Sequence, residues 1–241
     1  MEISPNVKLF FKNNKETLDK YPKEIDWEDF YYNTAMTDLE PWEIGQITTL
    51  LLKKAHPEFY LPRIPANFLH SSPIESFEIP KRHDLDGIAA RAFYGSALKE
   101  IHIPHNVKKI GTSAFEDCQN LEKVTFNNGC TYLYNNIFKL CSNLKDIKLP
   151  GTLKEIGHGC FEYCKSLRKL EIPKAVDHLK YECFHGLENC EIIFDENFDL
   201  VIDPEVFDSN ASDMGIKVSC YYDTPIYDYC QAHDIPFGRL K

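Results

Sequence analysis

Cysteine and histidine are the residues of this chain with the most versatile chemistry, because thiolates act as nucleophiles and both side chains bind metals. The chain contains nine of each. Structural zinc sites use closely spaced pairs such as C-x2-C, and the nearest pair here, Cys160 and Cys164, has three residues between its members. The sequence therefore predicts no metal site.

A cysteine–histidine nucleophile is the second chemistry that these residue types allow. The histidines nearest to the cysteines in the sequence are His158, His178, His185 and His233. None of them lies in a recognisable nucleophile motif. The glycine-rich loops that bind nucleotide phosphates are also absent from the sequence. We therefore expect no catalytic residues, no cofactor and no enzyme activity.

The spacing of three cysteines indicates a structural role. Cys118, Cys141 and Cys164 recur every 23 residues, and Leu187 takes the next place in the series. A position that accepts either cysteine or leucine requires an apolar filler, since a buried thiol packs as a small hydrophobic group. The odd number of cysteines and the absence of a recognisable signal peptide favour reduced thiols and a cytoplasmic location. A cell-surface or secreted location remains open if the chain lacks its leader.

The element that positions these cysteines is a repeat with a 23-residue period. Four contiguous copies begin at Leu98, Leu121, Leu144 and Leu167. Apolar residues three and five positions after each start predict a short strand with one buried face: Ile101, Ile103, Val124, Phe126, Ile147, Leu149, Leu170 and Ile172. Each copy continues with further apolar columns, including an invariant phenylalanine. Stacked units of this kind bury a continuous core.

The repeat extends beyond the four clear copies in both directions. A fifth copy starting at Cys190 places Ile193 in a strand column, and a sixth, partial copy places Ile216 and Val218 there. A looser copy begins near Ile74. The register therefore predicts about seven strand-forming units.

The pattern L-x-x-I-x-I-P-x-x-V-x-x-I-x-x-x-A/C-F-x-x-C-x-x resembles the BspA-type leucine-rich repeat family. The resemblance covers close to two-thirds of the chain. It implies an α/β repeat, a leucine-rich-repeat solenoid with a 23-residue period and a parallel concave sheet. It also implies binding of other macromolecules, since such repeats occur in bacterial surface adhesins, protist surface proteins and phage-encoded proteins.

The two ends do not repeat. Residues 1–60 predict an N-terminal helical cap or a separate binding module, with one helix opening at Asp26 and a second running from about Pro41 to Lys54, after a capping-box pair at Thr37 and Glu40. Residues 61–218 are predicted to form the solenoid. Residues 219–241 predict a C-terminal cap, with a short helix from Pro225 and a last extended segment.

The outward side of the predicted sheet is the candidate partner-binding surface, because the residue between two buried strand positions points away from the core. The candidate residues are His102, Lys123, Thr125, Lys148, Lys169, Glu171, Ile192 and Phe194. Two apolar residues on such a face suggest a contact with a partner or with the C-terminal cap. The alternative is an ordinary solvated face.

The charge distribution restricts the kind of partner. The net charge is −10, and residues 190–241 carry 11 acidic residues against three basic ones. Nucleic-acid binding requires clustered basic charge, so we expect no nucleic-acid partner. No apolar run approaches the roughly 18 residues that span a membrane. The sequence therefore favours a non-enzymatic protein-interaction module. A surface or secreted adhesin, and a phage-encoded factor that binds a host protein through the acidic region, remain alternatives.

Overall fold

The computed structural model describes residues 3–15, 39–54, 63–81 and 85–240. It confirms a solenoid of parallel strands with about eight turns and a period of about 23 residues. Each full unit contributes one longer strand and one strand of two residues. The longer strands are β3 (Glu100–Ile103), β5 (Lys123–Phe126), β7 (Asp146–Lys148), β9 (Lys169–Ile172), β11 (Glu191–Phe194) and β13 (Lys217–Cys220). The two-residue strands are β1 (Arg63–Ile64), β2 (Gly87–Ile88), β4 (Lys109–Ile110), β6 (Tyr132–Leu133), β8 (Glu155–Ile156), β10 (His178–Leu179) and β12 (Val201–Ile202).

The strands form one continuous sheet and one interrupted sheet. The two-residue strands pair in parallel, in the order β1-β2-β4-β6-β8-β10-β12. The longer strands divide into β3-β5-β7 and a second group in which β9, β11 and β13 are followed by β14 (Phe237–Arg239). Among the described residues, β7 and β9 are neighbours without a ladder between them. The longer-strand sheet is therefore interrupted in the middle of the solenoid.

Turns, rather than helices, return the chain within each unit of residues 85–220. Two residues four positions apart adopt left-handed backbone angles in successive units, for example Ser113 and Asp117, then Asn136 and Leu140. A positive φ is unfavourable for a leucine. Hydrogen bonds between units hold the turns, as when the Phe138 amide donates to the Cys160 carbonyl at 2.9 Å.

A column of stacked phenylalanines forms the centre of the core. The ring centroid of Phe138 lies 5.7 Å from that of Phe115 and 5.7 Å from that of Phe161. The interplanar angles of the two pairs are 14° and 17°. All three side chains are fully buried. Phe93 and Phe184 continue the stack on either side. The invariant phenylalanine of the repeat therefore joins each unit to the next.

Two N-terminal helices precede the first unit, and the second of them packs on it. The predicted helix from Pro41 to Lys54 is confirmed as α2 (Pro41–Lys54), and α1 (Pro5–Asn13) precedes it. The Ser4 amide, at the start of α1, donates to Gln46 Oε1 of α2 at 3.2 Å. Thr49 Oγ1 of α2 lies 2.7 Å from Ser72 Oγ of the first unit. The helix predicted to open at Asp26 and the capping box at Thr37 lie outside the described residues, and the division at residue 60 stays a prediction.

The C-terminal prediction is confirmed in its elements. The helix α3 (Pro225–Ala232) begins at the predicted proline and buries Ile226 and Cys230. The last extended segment is β14, which pairs in parallel with β13. No helix within the described ranges is long and apolar enough to cross a membrane.

The predicted register of the fifth unit is wrong by one residue. Ile192 pairs with Leu170 and Phe194 with Ile172, so both side chains point into the core and are buried. Glu191 and Ile193 face outward instead. The reason is that this unit follows the preceding one after 22 residues, and a shift of one residue moves every strand side chain to the opposite face. Ile192 and Phe194 are therefore removed from the candidate surface.

Candidate partner-binding face

The outward residues of the longer strands form two rows, which together we call the long-strand face. The first row contains Glu100, Lys123, Asp146, Lys169, Glu191 and Lys217. The second row contains His102, Thr125, Lys148, Glu171, Ile193 and Ser219. Stacking by the 23-residue period places equivalent positions of successive units side by side. Each of the two outward positions of a longer strand therefore lies beside its equivalents on the neighbouring strands.

Charges alternate in sign along the first row, and three of the six, on Lys123, Asp146 and Lys169, are paired within the face. Lys123 Nζ lies 3.6 Å from Asp146 Oδ2 on the next strand. Lys169 Nζ lies 2.6 Å from Glu171 Oε1 on its own strand. Exposed pairs of this kind contribute at most about 1 kcal/mol each to stability. Glu100, Glu191 and Lys217 have no ion-pair partner among the described residues.

The second row contains two formal charges, on Lys148 and Glu171, and Glu171 is paired with Lys169. His102 Nδ1 lies 2.9 Å from Thr125 Oγ1, and Ser219 Oγ donates to Glu191 Oε1 at 2.6 Å. Lys148 is exposed, and the described part of the chain contains no hydrogen-bond or ion-pair partner for its ammonium group. Lys148 is therefore a free cation at the centre of the face.

A cavity of about 850 Å³ lies on this face, at the interruption between β7 and β9. Ile147, Leu149 and Ile172, which are almost completely buried, contribute its apolar floor. Lys148 and Asp195 contribute charged groups to its wall. Six of the fifteen lining residues are charged, so the cavity combines an apolar floor with a polar wall. The recess in the long-strand face therefore contains the ammonium group of Lys148, which has no ion-pair partner among the described residues.

The structure places six of the eight predicted surface residues on the long-strand face: His102, Lys123, Thr125, Lys148, Lys169 and Glu171. Lys148, Lys169 and Glu171 also line the cavity. Sequence reasoning missed Ile193, Tyr221 and Leu240, which line it as well. Only Ile193 had a sequence signal, the apolar run Ile192–Ile193 beside Phe194, in which the register is ambiguous.

The cysteines lie in the core. All nine are free and buried. The thiols of Cys118, Cys141 and Cys164 donate to the carbonyl oxygens of Phe93, Phe115 and Phe138, at 3.0, 3.1 and 3.1 Å. Burial raises the pKa of the Cys118 thiol to about 12. The described residues contain no group of three His, Cys, Asp or Glu side chains that could hold a metal ion.

Two of the candidate histidines are engaged with carboxylates instead of thiols. His178 Nε2 lies 2.8 Å from Asp203 Oδ1, and His185 Nδ1 lies 2.8 Å from Asp208 Oδ1. His178 belongs to the two-residue strand β10. The hydrogen bonds of the described residues join neither imidazole to a cysteine thiol.

We expect the nine thiols to react with Ellman's reagent far more slowly than free cysteine in the native protein at neutral pH. The reason is that the thiolate is the reactive form, and burial both excludes the reagent and raises the pKa of thiols such as Cys130, to about 12. All nine should react at once after denaturation in guanidinium chloride, which serves as the control. Rapid labelling of any thiol before unfolding would contradict the core assignment.

Comparisons with known proteins agree with this geometry. A family model described as the BspA type leucine rich repeat region matches residues 63–191, more than half of the chain, in six copies. The chain is similar to a leucine-rich repeat protein from Bacteroides ovatus ATCC 8483, with 23% identity and a TM-score of 0.50 over 68% of this chain and 47% of that chain. It thus spans about half the length of that protein, and the likeness shows the fold. A leucine rich repeat protein of T. pallidum is 20% identical, with a TM-score of 0.45 over 71% of this chain and 87% of its own. No curated protein sequence matches this chain.

Proposed function

The chain belongs to the BspA-type leucine rich repeat family, and we propose that it is a non-enzymatic module that binds a protein partner through the long-strand face. Repeat proteins of this fold commonly mediate protein interactions. The observation that carries the proposal is the cavity of about 850 Å³ on that face, with an apolar floor and an unpaired lysine in its wall.

The composition of the face supports a protein partner in preference to nucleic acid. The acidic and basic residues of its first row alternate, whereas phosphate binding requires clustered basic charge. The side chain of Ile193 is half-buried in the free protein, and its exposed part offers apolar surface to a partner. A mixed surface of this kind fits a protein partner, with a few anchoring contacts surrounded by polar ones.

A cytoplasmic location is part of the proposal. It rests on nine free, buried cysteines, because disulfides form in oxidising compartments and thiols persist in reducing ones. Fractionation that finds the protein in the culture medium or on the cell surface would contradict this location and favour an adhesin.

The substitution Lys148→Glu is expected to reduce capture of the partner from a lysate of the source cells at least tenfold. It reverses a cation of the cavity wall that has no ion-pair partner within the described ranges, and it leaves the core untouched, since Lys148 is exposed. The matched control is Lys154→Glu, because Lys154 is also exposed and does not line the cavity. Quantitative mass spectrometry of the captured proteins gives the measurement.

Two outcomes of this experiment would count against the proposal. One is capture that Lys148→Glu and Lys154→Glu reduce equally, because partner binding would then not depend on the cavity. The other is that no protein is enriched by the unmodified chain over a bare matrix.

A further inference from the structure

The gap between β7 and β9 lies on one side of the solenoid only. At every other junction from β3 to β13, an amide at the start of a longer strand donates to a carbonyl of the preceding unit. The Glu122 amide donates to Lys99 at 2.8 Å, and the Glu191 amide to Arg168 at 2.9 Å. Among the described residues, no amide donates to the equivalent carbonyl of Lys145. Because β8 and β10 on the opposite side keep their ladder, the gap is a wedge that opens on the long-strand face.

The units on the two sides of this gap stay joined through their turns and their core. The Phe161 amide donates to the Cys183 carbonyl, and the Tyr163 amide to the His185 carbonyl, both at 2.9 Å. The rings of Phe161 and Phe184 remain stacked. Their centroid separation of 6.2 Å exceeds the 5.0 to 5.7 Å of the three preceding stacked pairs. The short strands and the turns therefore form a hinge line for the two units.

The backbone of β9 presents unpaired groups to the gap. The Arg168 carbonyl accepts a hydrogen bond from the strand on the far side, β11. Successive residues of a parallel strand direct their backbone groups to opposite sides, so the amides of Lys169 and Glu171 point towards β7. An unpaired strand edge is a template for pairing. Rotation of the two units about the hinge line would bring these amides to the carbonyls of β7.

The outward charges beside the gap have two alternative sets of partners. In the structure, Asp146 pairs with Lys123 and Lys169 pairs with Glu171, while Lys148 has no ion-pair partner among the described residues. The 23-residue register, which β8 and β10 keep across the gap, would place Asp146 opposite Lys169. The same register would place Lys148 opposite Glu171. Opposite charges directly across neighbouring strands stabilise their pairing, so closure would exchange one set of ion pairs for another.

We propose that this gap is a two-state hinge, in which β7 and β9 close into a ladder that is fastened by the pairs Asp146–Lys169 and Lys148–Glu171. The structure described above is the open state. Closure makes the long-strand sheet continuous and removes the part of the cavity that lies between β7 and β9. The inference concerns the free protein, so it goes beyond the proposed function and does not depend on it. A partner bound in the cavity would hold the hinge open.

Residue-resolved amide hydrogen exchange, followed by NMR spectroscopy of the intact protein, tests the closed ladder. The amides of Lys169 and Glu171 should exchange at least tenfold more slowly than in an unfolded chain, because the closed state protects them. Glu191 and Ile193 supply the reference, since their amides belong to a ladder that the open state already contains. Exchange of Lys169 and Glu171 at unfolded-chain rates would overturn the proposal.

Charge variants separate closure from simple burial of these amides. Lys148→Glu places a like charge opposite Glu171 in the closed state, so exchange at Lys169 and Glu171 should accelerate at least fivefold. Lys148→Glu/Glu171→Lys restores opposite charges and should return exchange to the unmodified rate or below it. Lys154→Glu is the matched control, because Lys154 is exposed and lies outside the cavity. Equal exchange in all four proteins would exclude the two ion pairs as the fastening, and with them the proposal.

Zero-length carbodiimide cross-linking of the unmodified protein identifies which charges meet. A Lys148–Glu171 cross-link is expected beside the Lys145–Glu122 cross-link, whose charged groups lie 3.0 Å apart and serve as the internal standard. The hinge is rejected if the standard forms and the Lys148–Glu171 link does not. It is also rejected if that link forms while the amides of β9 exchange at unfolded-chain rates, because the side chains would then reach across a gap that stays open.

Discussion

Replacing Phe138 with alanine is expected to lower the free energy of unfolding by about 3–5 kcal/mol, the range for truncation of a fully buried phenylalanine. Phe138 has no exposed surface and stacks between Phe115 and Phe161, with ring centroids 5.7 Å away on both sides. The turns on either side are fixed by hydrogen bonds between units, so the surrounding structure has little freedom to fill the space. The substitution therefore removes contacts from three units at once.

Urea denaturation followed by far-ultraviolet circular dichroism measures this loss. Tyr134→Ala is the matched control, because it removes an aromatic ring from the same unit where that ring is 43% exposed. We expect the control to change stability by less than about 1 kcal/mol. Because a repeat contacts mainly its neighbours, hydrogen exchange in Phe138→Ala should accelerate most in residues 109–172. A loss below about 1 kcal/mol for Phe138→Ala would contradict the stacked core.

Gly45→Ala is expected to destabilise the N-terminal helices by about 2 kcal/mol, within the range for overpacking. In an exposed helix the same change would stabilise by about 0.5–1 kcal/mol, because glycine is a poor helix former. Here a Cβ at residue 45 would overlap the carbonyl oxygen of His70 in the first unit. The helix backbone fixes the position of the Cβ and the carbonyl is itself backbone, so neither a rotamer change nor a side-chain shift relieves the overlap. The hydrogen bond between Thr49 and Ser72 should be lost when α2 moves away.

Hydrogen exchange of residues 63–72, together with the urea midpoint, measures this effect. Gly151→Ala is the matched control, because the nearest atom to its added Cβ is the side-chain Oδ1 of Asn128 at 3.5 Å, an ordinary contact. The control should change neither quantity. Unchanged exchange in Gly45→Ala would mean that α2 does not pack on the first unit.

The fold was predictable because four contiguous copies of equal length repeat each core position. Phe115, Phe138 and Phe161 occupy one column of the sequence, and the structure stacks them in that order. The reading of Cys118, Cys141 and Cys164 as core filler is confirmed by their burial. These four copies contain no insertion or deletion, so the period alone predicts which face of the strand each side chain occupies.

The fifth unit shows where periodicity fails. Ile192, Ile193 and Phe194 are consecutive apolar residues, so a strand with either face buried fits the pattern equally well. The loss of one residue before this strand decides between the two, and composition carries no signal of it. Features that arise from packing between units also cannot be predicted from the repeat pattern. The interruption between β7 and β9 and the close approach of Gly45 to His70 both depend on how units pack.

Lysine footprinting of the complex with the captured partner tests the central claim most directly. Acetylation of each lysine, quantified by mass spectrometry with and without the partner, reports which face is covered. The account predicts protection of Lys148 and Lys123 on the long-strand face, with Lys154 labelled as in the free protein. Protection of Lys154 with full labelling of Lys148 would contradict it.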